Sequence, residues 1–205
     1  MSEIPVPHRI EDIIALFNGL FADTFRTRLL CGGDEPLYLP TDGDCDYHRV
    51  IFAHGFFASA LHEISHWCIA GSQRRMLEDY GYWYLPDGRD AQQQRDFEAV
   101  EIPPQALELL FSRACALRFH VSVDNLGEVA VDRDDFRTRV EARAERYERE
   151  GLPQRAEAFR LVLEARYRRH LSLGEAIVIG REVLFDMAEA SMSRQTHHDD
   201  SASRW

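Results

Sequence analysis

The sequence predicts an α+β fold: a helix-rich single domain with a small sheet. Three observations carry this. Apolar residues recur at three- and four-residue steps over several stretches of helical length. Between those stretches lie short runs rich in aromatic and β-branched residues, long enough only for small strands. The chain has 205 residues, 45% of them hydrophobic, which suffices for one compact core.

Taken in order, residues 9–30 predict a helix. Ile10, Ile13, Ile14, Phe17, Leu20, Phe21 and Phe25 share a face, and Gly32-Gly33 stop the run. Pro36-Leu37-Tyr38-Leu39-Pro40 reads as a short extended piece, and Thr41-Asp42-Gly43-Asp44 as a turn. Arg49-Val50-Ile51-Phe52-Ala53 is either a strand or the start of a helix; the run is too short to decide. Residues 56–70 predict a helix that is apolar on most sides, hence buried, and ended by Gly71. Tyr80 to Pro86 has strand propensity and runs into a Pro86-Asp87-Gly88 turn. Asp90 is placed to cap a short helix over 91–101, which Pro103-Pro104 should close. A further helix is expected over 104–117, then a small strand at His120-Val121-Ser122-Val123. Charged helices over 133–150 and 153–170 should meet at Gly151 and Pro153, and a last helix covers 172–189. The domain is thus expected to span residues 1–190. The polar stretch 191–205 is expected to be a disordered tail.

Composition narrows the function. The chain carries 24 basic against 35 acidic residues, a net charge of −11. That argues against direct nucleic-acid binding, which needs a basic footprint, and suits a cationic substrate. All the basic residues are arginine; the chain has no lysine, so no Schiff-base lysine can serve. No apolar run is long enough to span a membrane, and the first residues lack the pattern of an export signal. Cys31, Cys45, Cys68 and Cys115 form no C-x-x-C pair. They are therefore expected to be reduced thiols of a cytoplasmic protein.

The chemistry-bearing motif is His62-Glu63-Ile64-Ser65-His66. Four residues of α-helix turn about 400°, so the two imidazoles project from nearly one face and can chelate one metal ion. Glu63 lies close enough to act as a base on a metal-bound water or to orient a ligand. A third protein ligand is needed, and downstream carboxylates are the candidates. Glu98 is favoured, since Phe97 and Val100 beside it can anchor it to the core; Glu101, nearer the expected helix end, is the alternative. His54 is placed outside the ligand set, and Cys45-x-x-His48 and His197-His198 are read as ordinary loop and tail residues. Two metals suit such a set. Zn²⁺ would give a hydrolase, protease or nuclease, with Glu63 as general base. Fe(II) held by two histidines and one carboxylate, with open positions, would activate O2. No G-x-G-x-x-G dinucleotide motif and no 2-oxoglutarate-type H-x-D motif are evident.

The run from His54 to Gly71 and the run from Asp79 to Gln92, followed by Phe97-Glu98, together resemble the elongation factor P hydroxylase family. Asp34 to Pro40 and Pro104 to Leu107 add to the likeness, which spans about residues 9–185. The resemblance implies a non-haem metal hydroxylase, monooxygenase in type, with iron and O2. Its substrate would be the β-lysylated lysine of elongation factor P. It implies His62, His66 and Glu98 as the metal set, and a fold similar to a metal-dependent ribosomal-RNA endonuclease family. Glu63 would then support the site. Tyr82, Trp83 and Tyr84 are candidates for lining the substrate channel, because a cationic side chain packs well on aromatic faces.

Overall fold

A computed structural model describes residues 5–81, 90–123 and 132–186. Helix α1 (Ile10–Phe25) leads into strand β1 (Thr27–Cys31), then β2 (Leu37–Leu39), β3 (His48–Phe52) and helix α2 (Phe57–Ile69). Two short 3-10 turns, Arg74–Met76 and Glu78–Gly81, precede the long α3 (Ala91–Ala114). Helices α4 (Arg133–Glu150), α5 (Gln154–Tyr167) and α6 (173–186) complete the described chain. The sheet has the order β1-β3-β2, with β1 parallel and β2 antiparallel to β3. The helix-rich α+β expectation therefore holds.

The first helix is shorter than its apolar run suggested. Arg26 adopts a left-handed conformation (φ 47°), and its N–H closes the helix on the Phe21 carbonyl. Thr27 to Cys31 then pairs residue by residue with His48 to Phe52, burying Thr27 and Leu29. Long-range pairing overrides the local helical pattern. That pairing also decides Arg49–Phe52 in favour of a strand. The outer edge of β1 is covered by a side chain: Leu29 N–H donates to Asn18 Oδ1 at 2.8 Å, so α1 supplies a ladder partner.

α2 is the central element. Phe57, Ala60, Leu61, Ile64, Trp67 and Cys68 are all buried. Trp67 meets Phe17 and Phe21 of α1 at ring distances of 5.1 and 4.7 Å, and Phe159 of α5 closes the cluster against Phe17 and Phe111. Such aromatic pairs contribute beyond their buried area. The helix carries its ionisable groups on the face toward α3, while the buried Ser65 hydroxyl is satisfied within the helix by the Leu61 carbonyl.

α3 corrects the largest misreading. Asp90 does cap it, accepting from the Gln92 and Gln93 N–H groups in a capping box. The helix, however, does not close at Pro103-Pro104; it continues to Ala114 with both prolines inside. The prolines remove the N–H groups that would meet the Ala99 and Val100 carbonyls, a loss the packing on α2, α4 and α5 outweighs. The expected strand at His120–Val123 is also absent. Ser122 instead pairs with the side-chain amide of Gln105, whose Nε2 donates to the Ser122 carbonyl at 2.6 Å and whose Oε1 accepts from Ser122 N–H at 3.0 Å. Tyr80, read as part of a strand, lies in a 3-10 turn with Asp79, Tyr80 and Gly81 all at positive φ. The rest of that run, the turn at 124–127 and the tail from 191 lie outside the described residues.

α6 packs on α1 and α5 through glycine. A Cβ on Gly180 would overlap Val162 and stand 3.1 Å from the Ala158 carbonyl, which is backbone and cannot yield. Gly180→Ala is expected to cost about 1–3 kcal/mol, read as a lower midpoint in urea unfolding with an unchanged slope.

Candidate metal centre

The i, i+4 spacing on α2 brings His62 and His66 together with their Nε2 atoms 3.1 Å apart. Across from them, α3 presents Glu101. Its Oε1 lies 3.3 Å from His66 Nε2 and its Oε2 lies 3.5 Å from His62 Nε2. Bonds of about 2.1 Å at angles between octahedral and tetrahedral put ligand atoms roughly 3.0–3.5 Å apart. The three donors therefore stand at the separations that one metal ion would set. Among the described residues this is the one group of His, Cys, Asp or Glu side chains whose ligand atoms converge within 4.8 Å.

Donor chemistry agrees with geometry. His62 Nδ1–H donates to Glu108 Oε2 at 2.9 Å, which leaves the Nε2 lone pair facing the site. Two Nε2 lone pairs and a carboxylate aimed at one another repel unless a cation lies between them. The surroundings favour a cation strongly. Burial disfavours the His62 imidazolium, yet the hydrogen bond to Glu108 and the charges of Glu101, Glu108 and Glu63 hold its pKa up to about 10. Burial likewise opposes the Glu101 carboxylate, yet His66, His62 and Gln105 hold its pKa down to about 2. The field that favours a proton here would also favour a divalent ion. The residues present fit such an ion.

Residues 16–176 match the family described as elongation factor P hydroxylase. The elongation factor P lysine hydroxylase of Haemophilus influenzae is 50% identical over 160 residues, covering 78% of this chain and 90% of that protein.

The chain belongs to the elongation factor P hydroxylase family.

Within this member of the family the structure sorts the expected site residues. His62, His66 and Glu63 lie on α2 as anticipated. Glu98, the favoured third ligand, does not join them. Its Oε2 accepts from Arg139 at 2.9 Å and its Oε1 faces Gln94 at 3.4 Å, so it ties α3 to α4. Glu98 lies one turn earlier and about 60° round the helix from Glu101, and from there it reaches Arg139 of α4 rather than the imidazoles. Glu101, the alternative, is 5% exposed and is the carboxylate at the cluster. Burial holds the Glu63 carboxyl above its usual range, opposed by His62 and His66 and reinforced by Glu101 and Asp79. Tyr82, Trp83 and Tyr84 lie outside the described residues. His54 stands 3.9 Å from Asp34 and takes no part. His48 Nδ1 accepts from Thr41 N–H, and Cys45 faces the Tyr47 carbonyl, so that pair forms no second centre. Burial pushes the Cys68 thiol up to about 12, leaving it a neutral core group.

Glu108 is the residue at the cluster that sequence reasoning missed. Glu101, Gln105 and Glu108 follow at i, i+4 and i+7, one stripe of a continuous helix. That signal is visible only if the helix is allowed to pass Pro103-Pro104. Glu108→Gln is expected to weaken metal binding about 10- to 100-fold while leaving the fold intact, because the His62 ring loses the carboxylate that orients it. Titration of the metal-free protein with Fe(II) under argon checks this.

Proposed function

We propose that this protein hydroxylates a lysine side chain of elongation factor P, using O2 and an iron ion held by His62, His66 and Glu101. The observation that carries the reading is the convergence of two imidazole nitrogens and one buried carboxylate, the donor set of a two-histidine, one-carboxylate iron site. Membership of the family supplies the reaction class, and the Haemophilus relative is named for that substrate.

A bound redox-active iron supplies the binding and reduction of O2. One oxygen atom enters a C–H bond of the substrate; the other leaves as water, with two electrons and two protons drawn from an external reductant. The protein's own contribution is positional. α2 and α3 fix three ligands on one side, and Glu108 holds the His62 tautomer. Glu63, part-buried and next to both histidines, is placed to hold a proton or orient a polar group beside the metal. Asp79 adds negative charge nearby and is itself fixed by accepting from Tyr38 N–H at 2.8 Å. A substrate that is a translation elongation factor supports a cytoplasmic location. Among the described residues no helix is long and apolar enough to cross a membrane.

The test is the mass of modified elongation factor P after incubation with protein, Fe(II), reductant and O2. Wild-type protein should add one oxygen atom, and His66→Ala should add none. Full oxygen addition with zinc alone, in iron-free buffer, would sink the iron reading; stoichiometric zinc with no oxygen added would favour a hydrolase.

A further inference from the structure

One face of α3 carries Glu101, Gln105 and Glu108 at i, i+4 and i+7, and all three are buried. Glu101 faces the two imidazoles, and Glu108 holds the His62 ring. Gln105 stands between them and is 1% exposed. We infer that Gln105 is a positioning residue: it takes its orientation from the backbone of Ser122 and uses its remaining N–H to hold the Glu101 carboxylate at the imidazoles. The inference rests on the metal reading above and adds the group that sets the third ligand.

The hydrogen-bonding capacity of one amide leads to this assignment. A glutamine side chain has two N–H donors and one carbonyl acceptor. Ser122 engages one of each. Its carbonyl accepts from Gln105 Nε2 at 2.6 Å, and its N–H donates to Gln105 Oε1 at 3.0 Å. A backbone carbonyl only accepts and a backbone N–H only donates, so this pairing fixes which end of the amide is nitrogen. The direction of the group is therefore set from outside α3. The second N–H of Nε2 is left over, in a side chain with almost no access to water. A buried donor without a partner is costly. Its acceptor is Glu101 Oε2, at 3.4 Å. One donor of the amide thus serves Ser122, and the other serves the carboxylate that faces the histidines.

The chemistry of the donor matters as much as its place. A carboxylate that is to face a metal cation must be held without being neutralised. Arginine would hold it and compete for its charge, as Arg139 does at Glu98, donating to Oε2 at 2.9 Å. An amide N–H carries no formal charge, so it fixes the carboxylate and leaves the negative charge in place. The chain holds 24 basic side chains, all arginine. Among the described residues, however, Glu101 and Glu108 form ion pairs with His62 and His66 and with no arginine. The anchor is itself well held, because Val123, next to Ser122, is 4% exposed and joins the core. The Glu101 side chain has three torsions of its own, and a fixed neighbour removes that freedom.

The experiment is a double-mutant cycle on Fe(II) affinity. Full-length metal-free protein is titrated without oxygen, well below the melting temperature of each variant. The four members are wild type, Gln105→Met, Glu101→Ala and the double variant. Methionine matches glutamine in length and donates to neither partner. Expected is a Kd for Fe(II) raised roughly tenfold by Gln105→Met when Glu101 is present, and changed by no more than about twofold when Glu101 is already alanine. General loosening of α3 would weaken both backgrounds alike, and that result overturns the inference. A wild-type Kd in Gln105→Met overturns it as well. Gln105→Asn carries the same decision if the methionine variant does not fold, because its amide is one CH2 too short to reach Ser122 and Glu101 together. Failure of the underlying reading looks different: Glu101→Ala would then bind Fe(II) as wild type does.

Discussion

Glu101→Gln will strip the metal from this protein, and Glu98→Gln will not. Glutamine keeps the shape of Glu101 but removes the charge that balances a divalent ion beside two neutral imidazoles. Zinc-type sites with a full ligand set bind with about 10 kcal/mol or more, so losing one of three protein ligands should cost about 3 kcal/mol, on the order of a hundredfold in Kd. Glu98 touches Arg139 instead, 13% and 40% exposed in the two side chains. With the Arg139 end more than a third exposed, the pair contributes about 1 kcal/mol, to α3–α4 packing and not to the metal. The measurement is iron per chain after anaerobic purification, beside the oxygen added to elongation factor P. Wild-type metal content in Glu101→Gln, or its loss in Glu98→Gln, would overturn the assignment.

The choice between these two glutamates shows where sequence stops informing structure. The facing of His62 and His66 was legible because it needs only four residues of one helix. The Asp90 cap, the Gly151–Pro153 junction and α4 were legible for the same reason: each is decided within a turn or two. The third ligand depends on how α3 is rotated about its axis, and that is set by packing on α2, α4 and α5, which lie far away in sequence. Pro103-Pro104 made matters worse by suggesting a helix end between Glu101 and Glu108. Local steric rules predict a break there, and tertiary contacts carry the helix through. β1 fails in the same direction. Its residues read as the tail of α1, and only pairing with β3 makes them a strand.

Arg155→Met should be the most damaging change outside the ligand set. Arg155 is 9% exposed, and no carboxylate pairs with it among the described residues. Burial lowers its pKa to about 10, so it remains a cation at neutral pH. Its charge is spread over two backbone acceptors and a ring. One guanidinium nitrogen donates to the Cys68 carbonyl at 3.0 Å and the Ala70 carbonyl at 2.6 Å, while the group lies 4.6 Å from the centre of Trp67. These carbonyls belong to the last turn of α2, where helical partners run out. Methionine fills much of the volume but donates nothing. The Ala70 carbonyl keeps Arg75, which donates to it at 2.8 Å, while the Cys68 carbonyl is left without a side-chain donor among the described residues. Leaving buried acceptors unmet costs about 1–3 kcal/mol each, and the lost stacking adds to that. A total near 3 kcal/mol lowers the melting temperature by roughly 6–12 °C in a chain of this size. The metal should feel it as well, because Ala70 N–H closes on the His66 carbonyl and any loosening of that turn moves the imidazole. Two readouts separate the effects. Unfolding of the metal-free variant reports the anchor alone, and Fe(II) affinity well below the melting point reports the displaced histidine. A variant as stable as wild type without metal would show that α2 does not need Arg155 to hold its end. Normal affinity in a destabilised variant would show that His66 is held by α3 and Glu101 rather than from behind.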